Sequence, residues 1–211
     1  MKRIVAGIGA FLCATSACLS TAATKELAIH YWPLQDGSSW SMPIPDENPN
    51  WVVNFTVSKV VQNSPGVSDV DVAYTLNGNQ VQKEVYEVTA NAIARVRGGA
   101  NAGSDFNPPM PVLEVPMKNG ATWSWKGTVG AGLLQQQASA QFTVSGPVEV
   151  TTPAGKFSAM RVHSALVVGS GKSAISVPND SWYASGVGIV EQRATLNGIV
   201  HTYYLSKYTV K

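Results

Sequence analysis

From residue 24 to the C-terminus, runs of alternating β-branched and polar residues recur between Gly, Asn and Pro, and no window sustains a 3.6-residue apolar period. The alternation predicts an all-β chain. Trp51 to Val61 reads as a strand, and Val70 to Leu76 leads through Asn77-Gly78 into Gln80 to Val88. Asn-Gly suits the positive φ angles of a type I′ turn, so this pair predicts a tight hairpin. Further strands are expected at Thr89 to Val96, Val112 to Val115, Thr122 to Val129, Ala138 to Thr143, Val148 to Thr152, Ala159 to Val168 and Trp182 to Tyr183. Gly188 to Ala194 and Ile199 to Leu205 flank a second turn, Thr195-Leu196-Asn197-Gly198, and Lys207 to Val210 closes the chain. Ala100 to Pro111 is rich in Gly and Pro. Because Pro108, Pro109 and Pro111 lack an amide donor, it predicts a long surface loop that runs extended. Gly132 to Ala140 has fair helical propensity but also alternates, and strand or loop is the expectation there.

The first residues follow a different pattern. Lys2 and Arg3 precede an uncharged stretch, Ile4 to Leu19, that ends in Ser20-Thr21-Ala22-Ala23. A basic start, a short apolar run and small residues at the cleavage site predict a secretory signal peptide over residues 1–23. The run is too short and too interrupted by Gly, Ser and Thr for a membrane span, so no transmembrane segment is expected in the mature chain. Thr15-Ser16-Ala17-Cys18 loosely matches a lipobox, with Thr15 where Leu is usual, which leaves lipidation of Cys18 as the lesser alternative. Cys13 and Cys18 both lie in this segment, so the mature chain has no disulfide to rely on and must be held by its core. The destination is periplasmic or extracellular, or anchored at the outer membrane if Cys18 is lipidated.

Charge narrows the partners. The chain has 15 Lys and Arg against 13 Asp and Glu, and losing Lys2 and Arg3 leaves 13 of each. Arg95 and Arg97 form the densest basic cluster, far short of a phosphate-binding surface, so no nucleic-acid partner is expected. Spaced two apart on one strand face, they predict a cross-strand ion-pair ladder with Asp69 and Asp71.

Chemistry is sparse. There is no G-x-S-x-G elbow, and Gly169-Ser170-Gly171 and Ala184-Ser185-Gly186 read as turns. His30, His163 and His201 make no metal signature, so no catalytic residue, metal or cofactor is expected. The alternative is a secreted hydrolase on glycan or ester substrates, its site assembled from separate strands by two of Asp69, Asp71, Glu84, Glu87 and Glu114.

Six tryptophans and seven tyrosines are the stronger feature. Trp123 and Trp125 share a strand face. Large aromatics either fill the core of a curved sheet or line a groove, with the weight on core. Pro33-Leu34-Gln35-Asp36-Gly37-Ser38-Ser39-Trp40 is echoed by Pro116-Met117-Lys118-Asn119-Gly120-Ala121-Thr122-Trp123, which predicts one turn used twice to deliver a Trp to a sheet.

Three segments carry a resemblance: Tyr31 to Trp40, Thr152-Pro153-Ala154-Gly155-Lys156-Phe157-Ser158-Ala159-Met160-Arg161-Val162, and Trp182-Tyr183-Ala184-Ser185-Gly186-Val187-Gly188-Ile189-Val190. Together they resemble uncharacterised bacterial envelope proteins and lipoproteins, domains of unknown function with a large curved antiparallel sheet. The resemblance implies one all-β domain over residues 24–211, a strongly curved antiparallel sheet or open half-barrel, and carries no catalytic residue. The function expected is non-enzymatic. Trp40, Trp51, Trp123, Trp125 and Trp182 are the candidates to line a concave face that binds an apolar, lipid-like ligand or docks another envelope protein.

Overall fold

The computed structural model describes residues 27–44, 48, 50–98, 104–196 and 199–211. The expected signal peptide, Cys18, and Asn197-Gly198 of the second turn lie outside them. The described residues form a single sheet of 13 strands in which every neighbouring pair is antiparallel. In chain order these are β1 (Ser39–Pro43), β2 (Val52–Ser64), β3 (Val67–Leu76), β4 (Asn79–Val88), β5 (Ala92–Gly98), β6 (Ser104–Glu114) and β7 (Thr122–Gly130). They continue as β8 (Gln136–Thr152), β9 (Gly155–Val168), β10 (Ile175–Ala184), β11 (Gly188–Leu196), β12 (Ile199–Tyr204) and β13 (Lys207–Thr209), with one short helix, α1 (Ala28–Tyr31), ahead of them.

Consecutive strands pair from β1 to β12, and β13 returns to the free edge of β1. Only Leu205 and Ser206 separate β12 from β13, so the two outermost strands of the sheet are consecutive in the chain. A sheet this wide cannot stay open and flat, because right-handed twist accumulates strand by strand. It curls until its ends approach, and no β12–β13 ladder closes it. The inward faces of the strands pack into one hydrophobic cluster around the interior.

Local sequence sets the turns. Asn77 and Gly78 take φ of 49° and 85°, the pair a type I′ hairpin requires, and Asn77 Oδ1 accepts from the Val52 amide at 3.1 Å. Between β8 and β9, Thr152 Oγ1 accepts from the Ala154 amide at 3.1 Å and Thr152 pairs with Gly155. The echoed segments make the same turn twice. Ser38 N donates to Gln35 O and Ala121 N to Lys118 O, each at 2.9 Å. Gly37 N then reaches Val57 O on β2 as Gly120 N reaches Val144 O on β8. One device thus seats β1 beside β2 and β7 beside β8.

Two expectations are corrected. Of the expected loop, residues 100–103 lie outside the described residues, and Asn107 to Pro111 runs extended inside β6, which pairs with β5 at Ser104 and Asp105 and again from Met110 to Glu114, with Phe106 to Pro109 bulging between. Extended backbone suits both proline and strand, and what proline lacks is the donor for a second ladder. Accordingly β6 pairs with β7 only across Asp105, Phe106 and Asn107. Beyond that point the Trp125 indole N–H donates to Pro108 O at 2.9 Å and the Trp123 indole to Pro111 O at 3.0 Å, so side chains replace the missing ladder. Nor do Arg95 and Arg97 join a ladder with Asp69 and Asp71. Against β4, Val96 is an extra residue between Arg95 and Arg97, and toward β6 the four residues Phe106 to Pro109 bulge between their partners; Arg95 thereby turns into the interior and Arg97 stays on the outside. Arg97 pairs with Asp105 at 2.6 Å, and Asp71 pairs with Lys83 at 2.6 Å.

Candidate functional site

The inward side chains do not fill the curled sheet. They leave a cavity of about 400 Å³, within the range of small-molecule sites. One end is plugged. Ala28 N donates to Ala90 O at 3.1 Å and His30 O accepts from Gly186 N at 2.6 Å, which ties α1 to the β4–β5 and β10–β11 turns. Trp32 then stands edge-on to Tyr86, with ring centroids 4.9 Å apart. Trp40 crosses from β1 to donate its indole N–H to Val187 O at 2.6 Å. This approach requires Gly188, where φ is +105° and a Cβ would lie 2.8 Å from the Trp40 indole nitrogen. The opposite end holds the β3–β4, β7–β8, β9–β10 and β11–β12 connections. Val81 lines the cavity there and is 46% exposed, which places the mouth at that end.

Most of the wall is apolar, including Val53, Phe55, Val112, Leu166, Val177 and Ile189. Into it projects one charged cluster. Glu84, 3% exposed, accepts from Tyr74 at 2.6 Å, from Gln82 at 2.7 Å and from Tyr86, and its Oε2 lies 3.2 Å from Arg95 Nη2. Arg95 Nη2 also donates to the Tyr86 hydroxyl at 3.3 Å. The carboxylate is thereby fully engaged. The guanidinium is not: among the described residues no protein group accepts from Nε, and the hydrogen bonds it makes all come from Nη2. Its side chain keeps 28% accessibility, and because Arg95 lines the cavity this surface faces the interior. Burial opposes the charge on Arg95, and Glu84 together with the Tyr86 and Tyr74 phenols more than offsets it, holding the guanidinium pKa above its ordinary range.

Across the cavity Asn179 Nδ2 donates to Ser181 Oγ at 3.0 Å, and Gln192 Nε2 donates to Asn179 Oδ1 at 3.1 Å. Burial also raises the phenols of Tyr74 and Tyr86, and pushes Tyr183 up to about 12. The unfolded chain ionises these phenols near pH 10 while the native state keeps them neutral, so their contribution is intact below about pH 10 and is lost as pH rises above it. Tyr183 alone should account for about 2–3 kcal/mol between about pH 10 and 12. Urea midpoints measured across that range should fall steeply for the wild type and less steeply for Tyr183→Phe.

The structure does not gather the five candidate tryptophans. Trp40 lines the cavity. Trp123 stacks on Phe142, centroids 5.0 Å apart, and Trp125 packs 6.0 Å from Phe106 where the indoles bridge to β6. Trp182 is buried and flanked by the Arg161 and Arg193 guanidinium groups, and Trp51 is half-buried ahead of β2. Of the five carboxylates considered for hydrolysis, Glu84 is the one that lines the cavity. Asp69 stands opposite Glu87 on neighbouring strands, and among the described residues no group of three His, Cys, Asp or Glu is placed to hold a metal ion. Trp32, Tyr74, Tyr86 and Arg95 complete the lining without a sequence motif that marks them for it.

A many-stranded antiparallel sheet curled around an internal cavity is the class this fold defines. Residues 138–195 match a family model described as DUF3108-like. The fold is similar to that of a Bacteroides fragilis protein, provisionally described as exported and YmcC-like in fold, at 18% identity and a TM-score of 0.54 over 83% of this chain and 96% of that one. It is likewise similar to a Parabacteroides distasonis protein provisionally described as a lipoprotein, at 16% identity and a TM-score of 0.56 over 85% and 98% of the two chains. No curated protein matches the chain.

Proposed function

We propose that this is a non-enzymatic protein of the bacterial envelope that holds an amphiphile in its interior, with an apolar chain along the cavity wall and an uncharged, acceptor-bearing head at Arg95. The observation that carries this is the cavity itself, apolar along its walls and supplied at one place with a guanidinium whose Nη1 meets no protein acceptor among the described residues. Glu84 and Arg95 are the charged residues of the lining and neutralise each other. A carboxylate head would add a negative charge beside Glu84 with no second cation to meet it, and in a low-dielectric interior that is costly. An ester, amide or hydroxyl oxygen accepts from Arg95 without that cost. A cavity of this volume inside a curled sheet suits a small ligand better than a segment of a docked partner, and the provisional descriptions of the two similar structures support an envelope location.

The test is displacement of an environment-sensitive apolar dye by glyceryl monodecanoate and by decanoate at neutral pH. The monoglyceride is expected to compete at least about tenfold more tightly, since the free acid must be neutralised or desolvated to enter. Tighter binding of decanoate would remove the head-group assignment, and failure of both would remove the amphiphile.

A further inference from the structure

We propose that the rim around the cavity mouth is a membrane-contact surface, pressing its exposed aliphatic side chains into a lipid bilayer. Three neighbouring connections carry them. Leu133 and Leu134 sit on the 3₁₀ turn between β7 and β8, Ile175 follows the β9–β10 turn, and Ile199 and Val200 follow the β11–β12 turn. Leu133 is wholly exposed and the other four are between 58% and 80% exposed. Register puts all three connections at one end: Ala138 pairs with Val168, Val168 with Ile175, and Ala194 with Asn179 as β11 runs back toward its turn. It is the end at which Val81 both lines the cavity and meets solvent.

A single protruding aliphatic residue means nothing, but five on adjacent turns around the mouth of an apolar cavity form a surface that folding has left uncovered. Charge identifies the occupant. Residues 131–135, 169–174 and 195–200, the three connections that carry the tips, contain one charged side chain, Lys172, and the acidic Asp46 and Glu47 belong to the separate β1–β2 connection. A bilayer complements that composition, aliphatic tips entering the acyl region and the Lys172 ammonium group meeting headgroup phosphates. Turns are also suited to it, because short protruding tips can enter the interface while the sheet's paired backbone stays outside it. The mouth would then open onto hydrocarbon, so that an acyl chain enters the cavity without crossing water. The surface is defined by exposed side chains alone and does not depend on what the cavity holds.

The experiment is flotation of the full chain with vesicles of phosphatidylethanolamine and phosphatidylglycerol, in a Cys18→Ser background so that no acyl anchor can carry it. Three proteins are compared: the Cys18→Ser chain, the same chain with Leu133→Ser and Leu134→Ser, and the same chain with Val60→Ser and Val61→Ser. Val60 and Val61 are each about two-fifths exposed and lie near the β2–β3 hairpin, at the far end of the sheet. Both pairs are surface positions, so equal thermal midpoints confirm intact folding. The Leu133/Leu134 change is expected to lower vesicle partitioning by about tenfold or more, and the Val60/Val61 change to leave it within about twofold. No flotation of the parent chain, equal loss in both variants, or loss in neither overturns the proposal. So does a parent chain that self-associates through the rim and floats no better when monomeric. Dye displacement reads the cavity separately, so failure here leaves the amphiphile reading standing, and the converse holds too.

Discussion

Replacing Arg95 by Met is expected to destabilise the protein by about 3–5 kcal/mol, because it leaves the Glu84 carboxylate buried without its cation. The loss should be larger than that of the hydrogen bonds removed, since Tyr74, Tyr86 and Gln82 still donate to Glu84 but cannot neutralise it. A double change of Glu84→Leu with Arg95→Met should recover most of that stability. The Tyr74 and Tyr86 hydroxyls lie 3.3 Å apart and can satisfy each other once the carboxylate is gone. Urea unfolding of the two single variants and the double variant gives the coupling energy, and additive losses would show that the pair is not the unit described here. The double variant also isolates function. If Arg95 receives the ligand's head and Glu84 repels a charged one, a folded protein with neither should bind glyceryl monodecanoate more weakly and should no longer discriminate against decanoate. Stability and selectivity would then have come apart, as they must if the ion pair is retained for recognition and not for folding.

Strand alternation makes most of this architecture legible in the sequence. Asn77-Gly78, Thr152 to Gly155 and the doubled Pro-to-Trp turn are local chemistry, and each forms the connection its residues dictate. What stayed hidden depends on which strands become neighbours. The β6 prolines read as a loop because a sequence cannot show that two indoles, 12 and 17 residues farther along the chain, will take the places of ladder donors. Arg95 and Arg97 read as one face because period 2 is broken by a bulge that carries no marker at Val96. The site left a fainter trace. On β4 the alternation Gln82, Glu84, Tyr86, Val88 sets a carboxylate in register with core positions, which is informative because a charge on a buried face is rare without a purpose. Tryptophan count puts the weight on core with a groove as the alternative; of the five candidates Trp40 lines the cavity, Trp123 and Trp125 bridge to β6, Trp182 lies between two arginines, and the polar cluster marks the interior.

Trp40→Ala should be among the most damaging substitutions in the chain, with an expected loss of about 3–5 kcal/mol. Its side chain is 1% exposed, it stands at the plugged end, and its indole N–H joins β1 to Val187 O beside β11 from within the curl. Truncation removes the packing, orphans that carbonyl and merges the vacated volume with the cavity, and Gly188, which exists to admit the ring, is left facing empty space. Trp40→Phe separates the parts: it keeps most of the apolar surface and loses the hydrogen bond, so about 1–3 kcal/mol should be lost by thermal or urea unfolding. If β1 is held to the far side of the curled sheet through this residue, hydrogen exchange in β1 and β13 should quicken in Trp40→Phe more than exchange in β3 or β4. Uniform acceleration across all strands would show that Trp40 contributes only to the global core. Selective opening would make it the clasp that stands in for the β12–β13 ladder the sheet does not form.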